Sequence, residues 1–360
     1  MKISRIRQQN YIKSMTPSDE FGRYIKQYSS FNNMKIRQKG EKMHTKIIAE
    51  TCQNHNGSRE ILAEMIKSAA KAGATYAKSQ MIFSDDLTHR PRFDEGFAEE
   101  NGVVKTITRP YNAELERLKK LDLTEKDHKW FIEECAKNNI IPLTTVFSRR
   151  GIELAKKLKW PESIVKVSSQ DIISLPFLRE LCEVFDHIIL STGGATDEEI
   201  ETASKVIKEK GNTLTLLHCV SIYPNPLGLC NIARMKWLGE SADHVGFSDH
   251  TNAEKDGIKA SKVAIRKGAE FIERHFSVLG ANDTKDGPIS IGPLRLRELI
   301  VFANLPDEVR EKEIFPQVMG EPSYTDIVGS RERELTAKEL LTIDYMRGRF
   351  ATGDKFNWEE

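Results

Sequence analysis

Eight short apolar stretches recur along the chain from Lys46 onward, and each closes on polar, ionisable or hydrogen-bonding residues. They cover residues 47–50, 76–80, 140–146, 164–168, 187–191, 214–219, 244–248 and 270–275, lengths that suit strands. Between them run amphipathic stretches that predict helices over 61–72, 125–138, 151–158, 176–185, 197–210 and 254–266, with 294–303 after the last strand. Thr124-Glu125-Lys126-Asp127 reads as a capping box at a helix start. Gly73, Gly211 and Gly268 each follow a helical run, where a C-terminal position needs positive φ.

Strictly alternating strands and helices predict parallel β/α units, and eight of them predict a TIM (β/α)8 barrel over residues 45–303. The stretch of about 40 residues between 81 and 121 is too long for an ordinary connection and predicts an active-site loop. Residues 1–44 are polar and basic. They read as an N-terminal extension that is either a helical cap, a disordered arm or translated sequence ahead of the true start. Residues 304–360 form a C-terminal extension in which 336–349 predicts one helix, as a barrel cap, a dimer contact or a solvated tail.

Composition narrows the classes further. Of 360 residues, 39% are hydrophobic and 30% charged, and 54 basic against 53 acidic residues leave a net charge of +1, so no nucleic-acid partner is implied. Five cysteines without a CxxC pair argue against a disulfide framework and for a reducing compartment. No apolar run approaches the roughly 18–20 residues that span a bilayer, and no secretory signal opens the chain, so a cytoplasmic protein without membrane contact is expected.

In a TIM barrel the reacting groups gather at the C-terminal strand ends. Here those ends carry Glu50, Lys78, Gln80, Thr145, Lys166, Ser168, Ser169, Ser191, Thr192, His218, Ser221, Ser248, His250, Glu273 and His275. Strand alternation puts Glu273 and His275 on one side, where His275 can meet His250 from the neighbouring end. Two such imidazoles are either structural or the ligands of a divalent metal. Lys78 and Lys166 either bind an anion or form a Schiff base, and the hydroxyls of Ser168, Ser169, Ser191, Thr192 and Ser248, with Gly193-Gly194, would let a phosphate approach closely. Glu50 and Glu273, from neighbouring strands, are acid/base candidates or ion-pair partners of those lysines.

At these residues the chain resembles the N-acetylneuraminate (sialic acid) synthase family over about residues 46–303. The motifs, in order, are Ile47-Ile48-Ala49-Glu50 with Asn54-His55-Asn56-Gly57; Lys78-Ser79-Gln80; Thr145-Val146-Phe147-Ser148-Arg149; Lys166-Val167-Ser168-Ser169; Leu190-Ser191-Thr192-Gly193; His218-Cys219-Val220-Ser221-Ile222-Tyr223-Pro224; Gly246-Phe247-Ser248-Asp249-His250; and Glu273-Arg274-His275-Phe276. The resemblance implies condensation of phosphoenolpyruvate with an N-acylated aldose, giving a nonulosonic acid and phosphate. It implies a divalent metal, Mn or else Mg or Co, on His250 and His275. It further implies phosphoenolpyruvate on Lys78, Thr145, Lys166, Ser169, Ser191, Ser221 and Ser248, and the sugar near Gln80, Tyr223 and Asp286. Glu50, Glu273 and Lys166 become the catalytic candidates, and a homodimer the expected assembly.

Some motifs depart from that pattern. Thr284-Lys285-Asp286-Gly287-Pro288 keeps the aspartate but not the histidine that often follows it, and Lys166-Val167-Ser168-Ser169-Gln170-Asp171 replaces the usual glycine-rich continuation. Ser221 stands where some members have asparagine, and residues 304–360 do not read like the antifreeze-like domain many members carry. Two other readings stand beside the synthase: a Schiff-base pyruvate aldolase using Lys78 or Lys166, and a barrel that binds a sugar or phosphometabolite without turnover.

Overall fold

The computed structural model of the protein describes residues 45–317 and 322–360, and the extension expected at 1–44 lies outside the described residues. Eight parallel strands close into a barrel: β1 (Lys46–Glu50), β2 (Tyr76–Met81), β3 (Ile141–Val146), β4 (Ile164–Val167), β5 (His187–Ser191), β6 (Thr213–His218), β7 (His244–Asp249) and β8 (Phe271–His275). Neighbours in the barrel are neighbours in sequence, and β8 returns to pair with β1. The helices that follow the strands are α1 (Arg59–Ala72), α2 (Glu125–Lys137), α3 (Arg149–Lys157), α4 (Leu175–Cys182), α5 (Asp197–Glu209), α6 (Arg234–Leu238), α7 (Lys259–Arg266) and α8 (Pro293–Ala303). Among the described residues, no helix is long and apolar enough to cross a membrane.

The expected punctuation is present. Thr124 and Asp127 form the reciprocal capping box of α2, and Gly73, Gly211 and Gly268 all take positive φ. One helix starts five residues later than its sequence pattern, while those expected over 176–185 and 336–349 end at Cys182 and Met346. The run expected from 254 begins only at Lys259, because Asn252 Oδ1 accepts the N–H groups of Glu254 and Lys255 in a side-chain turn and Gly257 follows at φ +60°. Local hydrogen bonding from asparagine here outcompetes the helix.

Two-residue alternation stacks the barrel interior in layers. At the floor, His187 Nε2 meets Thr215 Oγ1 at 2.7 Å and His244 pairs with Glu270. Above it, Ile48, Tyr76, Leu143, Ile164, Ile189, Leu217 and Phe271 form a closed apolar plug. Gly246 sits in that layer, where a β-carbon would run into the Phe271 carbonyl and Leu217. One step further along each strand come Glu50, Lys78, Thr145, Lys166, Ser191, Ser248 and Glu273, with Glu50 level with Lys78 and Glu273 level with Ser248. The plug seals the polar layer from below, so its charges face only one another and the mouth.

Outward-facing residues between Glu273 and His275 and between Ser248 and His250 hold the mouth in place. Arg274 and Asp249, both fully buried, pair at 2.7 Å behind the strands. Arg274 also donates to the carbonyls of Asp249, Thr251 and Gly257, while Asp249 accepts from Thr251 and Ser261. Both terminal nitrogens of Arg274 and both carboxylate oxygens of Asp249 thus have partners inside the protein, as a buried charge pair requires.

After α8 the chain forms helices Asp307–Gln317, Tyr324–Val328 and α9 (Ala337–Met346), then a two-stranded ribbon of Ala351–Thr352 and Lys355–Phe356. The helix expected over 336–349 is α9, capped by Thr336 and Glu339. This extension makes contacts with the rest of the chain: Ile343 packs on Gly194, Tyr345 meets Phe93 edge-on at 5.1 Å, and Arg90 donates to the carbonyls of Tyr345 and Arg347. Removing one partner of the buried Arg274–Asp249 pair, as in Asp249→Ala, is expected to destabilise the barrel by about 3–5 kcal/mol, measured as an earlier urea unfolding transition than wild type.

Candidate active site

The mouth of the barrel holds a cavity of about 450 Å³, and every candidate side chain from the strand ends except those of Thr192 and His218 opens onto it. Glu50, Lys78, Gln80, Thr145, Lys166, Ser169, Ser191, Ser221, Tyr223, Ser248, His250, Glu273, His275 and Asp286 all line it. The inward parity of each strand produces this convergence.

At its base Lys78 lies between two carboxylates, in contact with Glu50 and 3.2 Å from Glu273, and donates to Thr145 Oγ1 at 2.8 Å. Burial works against the Lys78 charge, but Glu273 and Glu50 outweigh it and hold the ammonium above its ordinary range. The carboxylates separate in behaviour. Burial, with Glu273 nearby, pushes Glu50 well up despite Lys78. Burial also presses Glu273 upward, but Lys78, Lys166 and a 2.8 Å hydrogen bond from Ser248 hold it well below the ordinary range. Glu273 is thus the fixed anion, and Glu50 the carboxyl able to exchange a proton near neutrality.

Lys166 is different. It makes no ion pair among the described residues, donates to the Val167 carbonyl at 2.7 Å, and burial lowers its pKa to about 8. A buried ammonium without a bonded carboxylate, in a cavity also lined by serines, is ready for an anionic ligand. Ser221 Oγ is likewise buried without a protein partner.

Both histidines present lone pairs. His250 Nδ1 lies 3.1 Å from the Val220 carbonyl, which only accepts, so Nδ1 carries the proton and Nε2 is free as a ligand atom beside Ser248. His275 Nδ1 is buried without a hydrogen-bond partner, and the two rings lie 5.4 Å apart. Burial lowers both pKa values, that of His275 to about 3, so the rings are neutral at neutral pH. Neutral imidazoles with unassigned nitrogens fit a divalent ion.

Two expectations change at this point. The space at Gly193 and Gly194 does not wait for a phosphate: a β-carbon at Gly193 would strike Ser221 Oγ and Cys219 Sγ, and one at Gly194 would press on Ile343. The glycines admit protein neighbours. Thr192 does not line the cavity, and its hydroxyl donates to the Leu217 carbonyl.

Sequence reasoning missed the outer wall. Ile107, Arg109 and Arg117 come from the long connection after β2, and Lys338, Ile343, Tyr345, Met346 and Arg349 from α9 and its exit. Glu114 joins the two segments, accepting from Arg117 at 2.7 and 2.9 Å and from Arg349, with Lys285 at 3.7 Å. The insertion's length signalled function, but nothing local announced that residues beyond 330 return to the mouth.

A model of the NeuB family matches residues 65–309, more than half of the chain. The chain belongs to the NeuB family. It is 33% identical over 259 residues to the N,N'-diacetyllegionaminic acid synthase of Campylobacter jejuni, covering 71% of this chain and 74% of that protein. Against the pseudaminic acid synthase of the same species it is 27% identical over 310 residues, 86% and 82% of the two chains. Its fold matches the N-acetylneuraminic acid (sialic acid) synthetase of Leptospira borgpetersenii, solved with citrate, at a TM-score of 0.61 and 27% identity, over 86% of this chain and 95% of that one. As a NeuB family member the chain is a sialic acid synthase-like enzyme that forms carbon–carbon bonds.

Hydrogen bonds to charged groups contribute about 1.5–3 kcal/mol each, so Glu114→Gln is expected to loosen residues 343–349. Hydrogen exchange there should accelerate roughly ten- to a hundredfold while the barrel strands keep their protection.

Proposed function

We propose that the protein condenses phosphoenolpyruvate with an N-acylated aldose, yielding a nonulosonic acid and inorganic phosphate. The observation that carries this reading is Lys166: a buried cation with no ion pair among the described residues, opening onto the same cavity as Ser169, Ser191, Ser221 and Ser248. Lys78 and Thr145 complete a cradle for a small polyanion, whose charge replaces the solvation these groups have lost. Membership of the NeuB family supports the same class of reaction.

The enol carbon of phosphoenolpyruvate attacks the aldehyde carbon of the open-chain acceptor, forming the new bond. Water adds to the carbon bearing the phosphate ester, and cleavage of the carbon–oxygen bond releases phosphate and leaves a 2-keto-3-deoxy acid. A divalent ion on His250 and His275 supplies Lewis acidity for the acceptor carbonyl when bound. Glu50, with its raised pKa, takes a proton from the incoming water, and Glu273 stays ionised to keep Lys78 charged. Gln80, Tyr223 and Asp286, on the other side of the cavity, select the acceptor.

The deciding experiment is phosphate release from phosphoenolpyruvate with N-acetylmannosamine, its 6-phosphate, diacetamido hexoses and simple aldoses, with added divalent metal and mass analysis of products. Stoichiometric phosphate and a nine-carbon keto acid with an N-acylated acceptor are expected. Ligand binding without phosphate release from any acceptor would leave the non-catalytic barrel instead, and a borohydride-trapped pyruvate adduct on Lys166 would mark the Schiff-base aldolase.

The pH profile follows from two groups of opposite demand. Glu50 must lose its proton to act as a base, so kcat/KM for phosphoenolpyruvate should rise with pH through a value well above the ordinary glutamate range. Lys166 must keep its proton to hold the anion, so the same quantity should fall as pH passes about 8. Glu50→Gln is expected to lower kcat by roughly 10²- to 10⁴-fold and to abolish the rising limb.

A further inference from the structure

Cys52 has no part in the reaction as written, yet it lines the cavity, with its thiol against Asp286 and Gln80. It is the second residue past β1 and has a φ of +47°, in the left-handed region that a residue with a β-carbon seldom adopts. Glu50 holds it there by accepting its backbone N–H. Strain of this kind persists where surrounding structure demands a particular side-chain direction.

That direction leads to two other donors. Cys52 Sγ, a ring nitrogen of His275 and a carboxylate oxygen of Asp286 all lie within 4.8 Å of one another. The thiol donates to Asp286 Oδ2 at 2.6 Å and accepts from Gln80 Nε2 at 3.3 Å. His275 Nδ1, in a ring only 8% exposed, has no hydrogen-bond partner. Ligand atoms around a tetrahedral zinc stand about 3.5 Å apart, so small side-chain rotations would bring these three onto one ion. Thiol, imidazole and carboxylate are also the protein donors zinc sites use.

We propose that Cys52 is a metal ligand, which with His275 and Asp286, and with His250 alongside, binds the divalent ion through a thiolate. The inference rests on the reading that this site takes a metal at all. On binding, the sulfur–hydrogen bond is exchanged for a sulfur–metal bond and the proton passes to solvent. A soft thiolate shifts the site's preference from Mn and Mg toward Zn, Fe(II) or Co(II). It also places the ion next to Gln80 and Asp286, so that one cysteine links metal identity to the acceptor side of the cavity.

The test is optical. Metal-free full-length protein is loaded with Co(II), bound cobalt is counted by elemental analysis, and the near-ultraviolet sulfur-to-cobalt charge-transfer band is recorded. Wild type and Cys219→Ser, which alters the other cavity thiol, should show the band at one cobalt per chain. Cys52→Ser and Cys52→Gly should lack it and bind Zn(II) at least about tenfold more weakly, with Mn(II) binding little changed. Cys52→Gly keeps the test sound, because glycine adopts the left-handed conformation without strain. Cobalt bound to wild type without the band, or a band that survives in Cys52→Ser, overturns the thiolate ligand and leaves a histidine-based metal site standing. Failure of wild type to take up cobalt stoichiometrically overturns both.

Discussion

Closure of the barrel is the constraint from which the site follows. With eight strands there is no slack inside, so an inward side chain must be complemented by what its neighbours point inward at the same height. The apolar plug from Ile48 to Phe271 meets that demand by packing. One layer higher the same geometry forces Lys78, Glu50 and Glu273 into contact and leaves Lys166 beside them without a bonded carboxylate. The imbalance in the upper layer is chemical potential for an anion, held in place by the apolar layer beneath.

Behind that layer the outward residues of β7 and β8 do the positioning. Ser248 and His250 alternate with Asp249, and Glu273 and His275 with Arg274, so the Arg274–Asp249 pair registers two strands whose other faces carry the reactive groups. Strand alternation thus divides labour: one parity faces the cavity, the other fixes the first in space.

Much of this was legible because barrel strands obey a short-range rule. Strand limits differ from the sequence pattern by at most a single residue at either end, and every strand-end candidate except Thr192 and His218 reaches the cavity. The start of α7 was not legible, since Asn252 diverts the backbone through a side-chain hydrogen bond that hydrophobic periodicity does not register. Cys52 looked like one of five unremarkable cysteines until its backbone conformation and its nearness to His275 and Asp286 were visible. Gly193-Gly194 looked like a phosphate loop because close approach is encoded the same way whether the neighbour is ligand or protein.

The bond between Arg349 and Glu114 joins residues 235 positions apart. Contacts of that separation form late, after the loop they close has lost most of its freedom. Closure of the barrel, which pairs Lys46–Glu50 with Phe271–His275, spans nearly the same separation, so the floor and the outer wall of the cavity are both completed only when distant parts of the chain have met. A chain that stopped short of Arg349 would thus keep every strand of the barrel but lose the tie that fastens the outer wall of its cavity.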